Sequence, residues 1–321
     1  MCRKIASLFA LAALAVAAAC SSQPGSNSPL PFAHGALSRA AVPIPMGTRP
    51  PFGAAAASAS PQPPLLYWGG PIQPTADVYV VFWGFRGAAA DPAGERARVT
   101  AFLEHLGRGT WLDTLAQYYQ KDPSRRIATP RVQLRGVWID TVDPVPASPT
   151  QDDLASEAEA LAAHFHHYDE DSDYVVATPH DHNEAGFVKN FCAWHSSVFS
   201  TWTGSLTGSV YLAFTNLPYI PDAAASCGEN AVNPGSAGLL DGVSIVLGHE
   251  IAESRSDPLP YIDTAPPEGE WAGWYDENGQ EVADKCAWVE LRNNGYGGGV
   301  LGTNLFPNQP LWSNRSDSCR Q

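Results

Sequence analysis

Hydrophobic and polar positions follow two different periods along the chain from about residue 65 onward. The run Asp77–Gly84, with the sequence DVYVVFWG, is β-branched and aromatic and ends in glycine, which predicts a buried strand. Ala93–Leu106 places its apolar residues at helical spacing, and so does Thr150–His167. Thr150 can cap the second of these helices, and acidic residues follow in its first turn, where the helix dipole favours them.

The remaining periodic segments complete a mixed α/β pattern. We expect a further helix at Trp111–Tyr119 and a mostly apolar, buried helix at Leu239–Ser254. We expect strands at Arg131–Ile139, Tyr174–Thr178, Phe191–Phe199 and Ser209–Thr215. After Pro258 the sequence becomes rich in Gly, Pro and Asn, which predicts a coil-rich C-terminal lobe. This order predicts an α/β (α+β) fold, a mixed sheet with packed helices. Zincin metalloproteases share this plan, so we expect a zincin-like domain.

The N-terminal segment predicts export. Residues 1–20 contain Arg3 and Lys4, a short apolar run and three alanines before Cys20, which is typical of a signal peptide. A cysteine directly after small residues is similar to a bacterial lipobox, in which Cys20 would be lipidated. Simple secretion after a shifted cleavage is the alternative. Residues 21–64 are rich in Pro, Ser, Ala and Gly, which predicts a disordered tether before a single globular domain at 65–321.

Net charge and the distribution of apolar residues limit the kinds of partner that we expect. The chain has 321 residues, of which 19 are Lys or Arg and 33 are Asp or Glu, and its net charge is −14. A nucleic acid would be repelled by this charge, so we expect no nucleic-acid partner. There is no second long apolar stretch, so we expect contact with the membrane only through a lipid at Cys20. The predicted location is the cell envelope, periplasmic or on the outer surface.

Four cysteines remain after the signal segment and the lipidation candidate. In an oxidising compartment Cys192, Cys227, Cys286 and Cys319 allow three pairings. We favour Cys192–Cys227 and Cys286–Cys319, because each pair closes a local loop in a turn-rich segment. A four-cysteine zinc site is the weaker alternative, because no Cys-x-x-Cys spacing occurs among the four residues.

The buried helix carries the candidate chemistry in the string Gly248–Glu253, GHEIAE. His249 and Glu253 lie four positions apart and therefore share one helical face. Two ligands at this spacing with a Glu between them are typical of zinc proteases, although a Glu stands here where the second His is usual. In that arrangement Glu250 would take the proton from a water molecule. The alternative is a hydrogen-bonded histidine in the core without a metal.

A zinc ion on this helix would need a third ligand from elsewhere in the chain. We rank Asp284 first, His195 second and Asp276 third. For Asp284 the competing interpretation is a carboxylate that caps a loop. The string PHDHNE after the strand at 174–178 contains two further histidines, and a solvated polar loop is the preferred interpretation of it.

Other catalytic classes have less support. The sequence has no Gly-x-Ser-x-Gly string, which gives a serine hydrolase little support. It also has no Gly-x-Gly-x-x-Gly string and no P-loop string, so nucleotide chemistry has no support. A glycosidase stays open, because carboxylates and tryptophans are abundant.

Several strings occur together in a characteristic order. They are YWGGP at 67–71, CAWH at 192–195, LDG at 240–242 before the GHEIAE helix, and EVADKC at 281–286. This series resembles the phosphate-induced or EXORDIUM family, which is known from plant cell walls and secreted bacterial proteins. The resemblance covers about residues 65–290 and implies a secreted or wall-associated protein. Carried over position by position, it includes Cys192, His195, His249, Glu250, Glu253 and Asp284.

The leading functional hypothesis is a zinc-dependent, metallopeptidase-like hydrolase that acts on a peptide or cell-envelope substrate. The alternative is a non-catalytic surface protein, in which the same helix holds a structural ion or a polar core network. Closed coordination by protein groups favours the structural ion, and an open position on a cleft favours the enzyme.

Overall fold

A six-stranded mixed sheet forms the centre of the computed structural model. The structure describes residues 44–49, 62–121, 123–128, 131–201, 209–260, 272–295 and 305–321. All of them lie in one compact unit, Ala33–Gln321. The strands are β1 Ile44–Met46, β2 Ala76–Trp83, β3 Val132–Asp140, β4 Ser172–Ala177, β5 Ala193–Ser200 and β6 Val210–Leu217. The α/β fold predicted from the sequence is confirmed at this level.

The sheet has the strand order β1-β5-β6-β4-β2-β3. β3, β2, β4 and β6 pair in parallel, whereas β5 runs antiparallel to β6 and β1 runs antiparallel to β5. Parallel strands need long crossovers, and helices supply the first two of them. The antiparallel strand β5 therefore lies on one side of the parallel group, and it carries His195.

Within the described part of the chain, three α-helices pack on the sheet. They are α1 Glu95–Leu106, α2 Gln151–Phe165 and α3 Asp241–Ser256. Thr150 caps α2 as expected, since its side chain accepts from the N–H of Asp153 and the Asp153 carboxylate accepts from the N–H of Thr150. Tyr79 stacks on Tyr174 and packs against Phe165 of α2, so these rings mark the face that α2 covers. Asp173 alternates with Tyr174 and faces the opposite side, where α3 lies.

The shorter elements surround this framework. They are 3₁₀ helices at Ala88–Ala90, Trp111–Gln117, Ile220–Cys227, Gly235–Ala237 and Asp284–Cys286, and short strands at Leu66–Tyr67, Tyr119–Gln120, Arg125–Arg126, Trp274–Tyr275, Arg292–Gly295, Leu305–Asn308, Leu311–Ser313 and Ser318–Arg320. The helix predicted at 111–119 is a 3₁₀ helix that ends at Gln117. The chain then becomes extended, because Tyr119 and Gln120 pair with Arg125 and Arg126.

One part of the predicted tether belongs to the sheet. Residues 44–49 fall inside the segment 21–64, yet Ile44–Met46 pairs with β5 and Met46 is fully buried. This part of the tether prediction is therefore corrected. A proline at the centre of the strand concealed it, and an edge strand tolerates proline because one side of its backbone is unpaired. The signal segment 1–20, with Cys20, and the rest of the tether up to residue 61 lie outside the described residues.

Two disulfides join the cysteine pairs favoured from the sequence. Cys192 is bonded to Cys227 and Cys286 to Cys319. Two disulfides are typical of a protein in an oxidising, extracytoplasmic compartment. Within the described ranges, no helix has the length and apolar character that a bilayer crossing requires.

Candidate metal centre

Helix α3 is enclosed along its whole length. Every residue of Asp241–Ser256 is buried, because the helix packs against the sheet, α1 and the strand Leu305–Asn308. Gly248 allows this close approach: a Cβ atom there would lie 2.6 Å from Nδ2 of Asn308. The polar side chains that follow Gly248 on the helix are therefore held away from water, where each needs a partner.

His249 meets two carboxylates. Its Nε2 atom lies 3.1 Å from Oε1 of Glu253 on the same helix and 3.4 Å from Oδ1 of Asp284. Their ligand atoms all lie within 4.8 Å of one another. The structure thus brings together the two helix residues and the first-ranked third ligand of the sequence analysis.

Neighbouring groups fix the orientation of this set. Oε1 of Glu253 accepts from the backbone N–H of Asp284 at 2.9 Å and from that of Ala283 at 3.3 Å. Nδ1 of His249 faces Oε1 of Gln309 at 3.4 Å, and the Gln309 amide donates to the carbonyl of Ala283. With Nδ1 facing Gln309, Nε2 is the ring nitrogen that faces the two carboxylates, and it is the atom that a metal ion would bind after loss of its proton.

His195 reaches the same place from the sheet. Nδ1 of His195 lies 3.2 Å from Oε2 of Glu250 and 3.7 Å from Oε2 of Glu253. Both histidines and both glutamates are fully buried. The second-ranked ligand candidate is therefore beside the helix residues, with its closest carboxylate contact to Glu250.

Six side chains form one cluster around α3: His195, His249, Glu250, Glu253, Glu281 and Asp284. Of these, only Glu281 was not a candidate in the sequence analysis. Its Oε2 atom lies 3.6 Å from Nε2 of His195, and its side chain is fully buried. The available signal was the spacing Glu281-x-x-Asp284, which places two carboxylates one turn apart before Cys286. That signal is weak by itself, because such a pair is also common on exposed loops.

The third-ranked ligand candidate, Asp276, does not join the cluster. Its Oδ2 atom accepts from the ammonium group of Lys285 at 2.9 Å, and its Oδ1 atom accepts from two backbone N–H groups of its own turn. A buried carboxylate that is satisfied by a lysine and by its own loop has a structural role. The prediction of Asp276 as a possible metal ligand is therefore wrong.

Asp257, which precedes Pro258, ends α3. It is the C-terminal cap residue of the helix, and its Oδ1 atom accepts from the N–H of Gly273 at 2.8 Å. The carbonyl of Asp257 also lies 3.3 Å from Nε2 of His195. The end of the helix thus helps to orient the imidazole of His195.

Burial dominates the electrostatics of the cluster. It raises the pKa of Glu250 to about 8 and that of Glu253 to about 7, with the neighbouring Asp284 adding to both shifts. Burial also raises the pKa of Glu281 and lowers the pKa of His195. For His249 burial acts downward, but Glu253 and Asp284 outweigh it and hold the pKa well above its ordinary value. Among the described residues, no lysine or arginine forms an ion pair with these carboxylates.

Several buried polar atoms of the cluster have no hydrogen-bond partner. They are Oε1 of Glu250, Oε2 of Glu253 and both carboxylate oxygens of Glu281. An unpaired buried polar atom costs about 1–3 kcal/mol, and more if it is charged. Imidazole nitrogens and carboxylate oxygens are ligands of Zn²⁺ and related divalent ions. The donor set and its unsatisfied atoms therefore fit a divalent cation.

A second histidine group lies on the surface and has a different character. Asp222 accepts from Nδ1 of His180, from the backbone N–H of Asp181 and from the amide of Asn183. These three contacts join the loop after β4 to the 3₁₀ helix Ile220–Cys227. The carboxylate is satisfied without an ion, which agrees with the polar-loop interpretation.

Comparisons with protein-family models, with curated proteins and with solved structures found no match to this chain. Functional inference therefore depends on the cluster itself.

Proposed function

We propose that the protein is an exported metal-dependent hydrolase that cleaves peptide bonds, with His249, Glu253 and Asp284 as ligands of a zinc ion. One observation carries the proposal: Nε2 of the fully buried His249 converges with one carboxylate oxygen of Glu253 at 3.1 Å and one of Asp284 at 3.4 Å, so three ligand atoms surround one point. Three protein ligands are the number found in catalytic zinc sites, where the fourth position is left for water or substrate.

Glu250 supplies the proton-transfer group of this proposal. A divalent ion would contribute Lewis acidity toward a carbonyl oxygen and a water molecule. Glu250 is adjacent to His249 in sequence, and its Oε1 atom has no hydrogen-bond partner. A cation at His249 would lower the pKa of Glu250 from about 8, and Oε1 would then accept a proton and return it to the leaving amine. The 3.2 Å contact between Oε2 of Glu250 and His195 positions the carboxyl group.

A structural ion is the second candidate, and the burial of the cluster favours it. Of the three proposed ligands, only Asp284 is partly exposed, at 16% of its side chain. Access to a reacting group would therefore have to pass beside Asp284. A closed, protein-lined site is typical of ions that stabilise a fold.

Metal content is the first test of the proposal. The mature protein, purified without chelator, should contain bound zinc, and His249→Ala should lose it. His164→Ala, on an exposed position of α2, is the matched control and should keep the metal of the wild type. Absence of metal from the wild type would contradict both candidates and would favour a metal-free polar core.

Cleavage of a mixed peptide library, followed by mass spectrometry, separates the two candidates. Cleavage by the wild type that disappears on metal removal and returns with zinc supports the hydrolase. A protein that contains metal, is stabilised by it and cleaves none of the peptides supports the structural ion.

We also propose how the protein is attached and to which proteins it is related. The lipobox-like segment supports a lipid anchor at Cys20 on the cell envelope, with free secretion as the alternative. The ordered strings YWGGP, CAWH, GHEIAE and EVADKC support membership of the phosphate-induced or EXORDIUM family. Three of these strings supply residues of the candidate metal centre.

A further inference from the structure

Glu253 presents its two carboxylate oxygens to two different histidines. Oε1 lies 3.1 Å from Nε2 of His249, and Oε2 lies 3.7 Å from Nδ1 of His195. Backbone N–H groups of Ala283 and Asp284 hold Oε1, whereas Oε2 has no hydrogen-bond partner. A carboxylate that is fixed at one oxygen and unpartnered at the other is suited to bridge two cations.

Glu281 provides the independent observation on the His195 side. It is fully buried, lies 3.6 Å from Nε2 of His195, and has no hydrogen-bond partner at either oxygen. Protonation would remove its charge but would leave both oxygens without hydrogen bonds. A cation satisfies both requirements at once, because it neutralises the carboxylate and coordinates it.

The ligand atoms are close enough for two ions. The groups His249, Glu253, Asp284 and His195, Glu253, Glu281 each keep their ligand atoms within 4.8 Å. Two ligands of one divalent ion are separated by at most about 4–5 Å. The groups share only Glu253, and in known two-metal sites the ions lie about 3.5–4 Å apart.

The charge of the cluster is compatible with two ions. Glu250, Glu253, Glu281 and Asp284 carry four negative charges when ionised, and no described lysine or arginine pairs with them. With both histidines neutral, as metal ligands are, two divalent ions match the charge of the four ionised carboxylates.

We propose that the protein holds a dinuclear centre, in which Glu253 bridges one divalent ion bound by His249 and Asp284 and a second bound by Glu281 and by Nδ1 of His195. The second ion replaces the hydrogen bond between Nδ1 and Glu250, whereas Nε2–H of His195 keeps its bond to the Asp257 carbonyl. This inference rests on the metal site of the proposed function and adds a second ion to it.

The test counts ions and measures their coupling. The mature full-length protein, stripped with chelator and reloaded, should bind two Zn²⁺ per chain by elemental analysis. Loaded with Mn²⁺, it should give an exchange-coupled electron paramagnetic resonance spectrum. Glu281→Gln should bind one ion and give the six-line spectrum of isolated Mn²⁺. Glu277→Gln, an exposed carboxylate in the same loop, should behave as the wild type.

Each outcome separates this inference from the proposed function. One ion per wild-type chain, without coupling, overturns the dinuclear centre and leaves the single-ion hydrolase standing. No bound ion overturns both. Two ions in both the wild type and Glu281→Gln overturn the assignment of the second ion to Glu281. The wild-type measurements do not require any variant to fold.

Discussion

Glu250 and His195 form a buried hydrogen bond across 55 positions of sequence, with Oε2 of the carboxyl group 3.2 Å from Nδ1 of the imidazole. One residue lies on helix α3 and the other on strand β5, so the contact joins the helix to the antiparallel side of the sheet. It leaves Oε1 of Glu250 without a partner. The bond therefore orients a carboxyl group that has one oxygen available for proton transfer.

Replacement of Glu250 by Gln tests this role. Gln keeps the shape and the contact with His195 but loses the base, so we expect peptide cleavage to fall by about 10²–10⁴-fold. Metal content and the unfolding temperature should stay close to those of the wild type. Steady-state cleavage and elemental analysis on the same preparation check both expectations. Glu104→Gln, on the exposed side of α1, is the control for a neutralised glutamate. Cleavage unchanged in Glu250→Gln would exclude this carboxyl group as the base.

The disulfides should leave no free thiol among the four paired cysteines. Alkylation without reductant, followed by mass spectrometry, should modify none of Cys192, Cys227, Cys286 and Cys319. Cys286 lies two positions after Asp284, so the variant with both Cys286 and Cys319 changed to Ser should bind zinc more weakly. The loss of this loop constraint should also lower the free energy of unfolding by about 3 kcal/mol. Stoichiometric labelling of Cys286 in the wild type would reject the pairing.

Gly242 in the first turn of α3 has no room for a methyl group. A Cβ atom there would lie 1.9 Å from the carbonyl oxygen of Cys227 and 3.0 Å from Cγ2 of Ile220. Because a backbone atom cannot yield as a flexible side chain does, Gly242→Ala should lower the free energy of unfolding by about 3 kcal/mol. Urea denaturation measures this. Gly47→Ala, at a position with no heavy atom within 4 Å, should unfold as the wild type does.

Asp173 should make stability depend on pH. It is buried beneath α3, where burial raises its pKa to about 7; the hydroxyl of Thr215 opposes this shift and the nearby Glu250 adds to it. A pKa raised on folding stabilises the protein at low pH, and this stabilisation is lost as the pH rises from about 4 to about 7. The loss assigned to Asp173 is on the order of 4 kcal/mol.

Asp173→Asn should remove that loss, since Asn keeps an acceptor for Thr215 and does not ionise. The difference in unfolding free energy between Asp173→Asn and the wild type should therefore grow in favour of Asn as the pH rises. Urea denaturation at several pH values across this window measures it. Asp152→Asn, at an exposed position of α2, should show no such trend. Parallel pH profiles for Asp173→Asn and the wild type would contradict the prediction.

The lipid anchor has a direct test at Cys20. Lipidation requires the thiol, so Cys20→Ser should move the protein from the membrane fraction to the soluble fraction of the cell envelope or the medium. Fractionation followed by immunoblotting detects the change. If the wild type and Cys20→Ser fractionate alike, the protein is simply secreted.

Local patterns in the sequence were enough to identify the framework. Helical spacing predicted α1 and α2, and alternation predicted β3, because burial of one face imposes a period along the chain. Continuous apolar runs predicted β2, β4 and α3, which are buried on all faces. The helix cap at Thr150 could also be predicted from the sequence, because all atoms of the capping box come from four consecutive residues. The strand Ile44–Met46 was hidden, because its pairing with β5 depends on a distant segment.

In the candidate metal centre, too, some residues could be predicted from local sequence and others could not. The sequence by itself determined that His249, Glu250 and Glu253 share one region of a buried helix, because helical spacing fixes their relative positions. Only the tertiary structure decided that Asp284 faces His249, that Asp276 pairs with Lys285, and that Glu281 joins His195. These choices depend on how a coil-rich segment folds back over the helix. No local period encodes that path, because backbone hydrogen bonds and a disulfide far along the chain determine it.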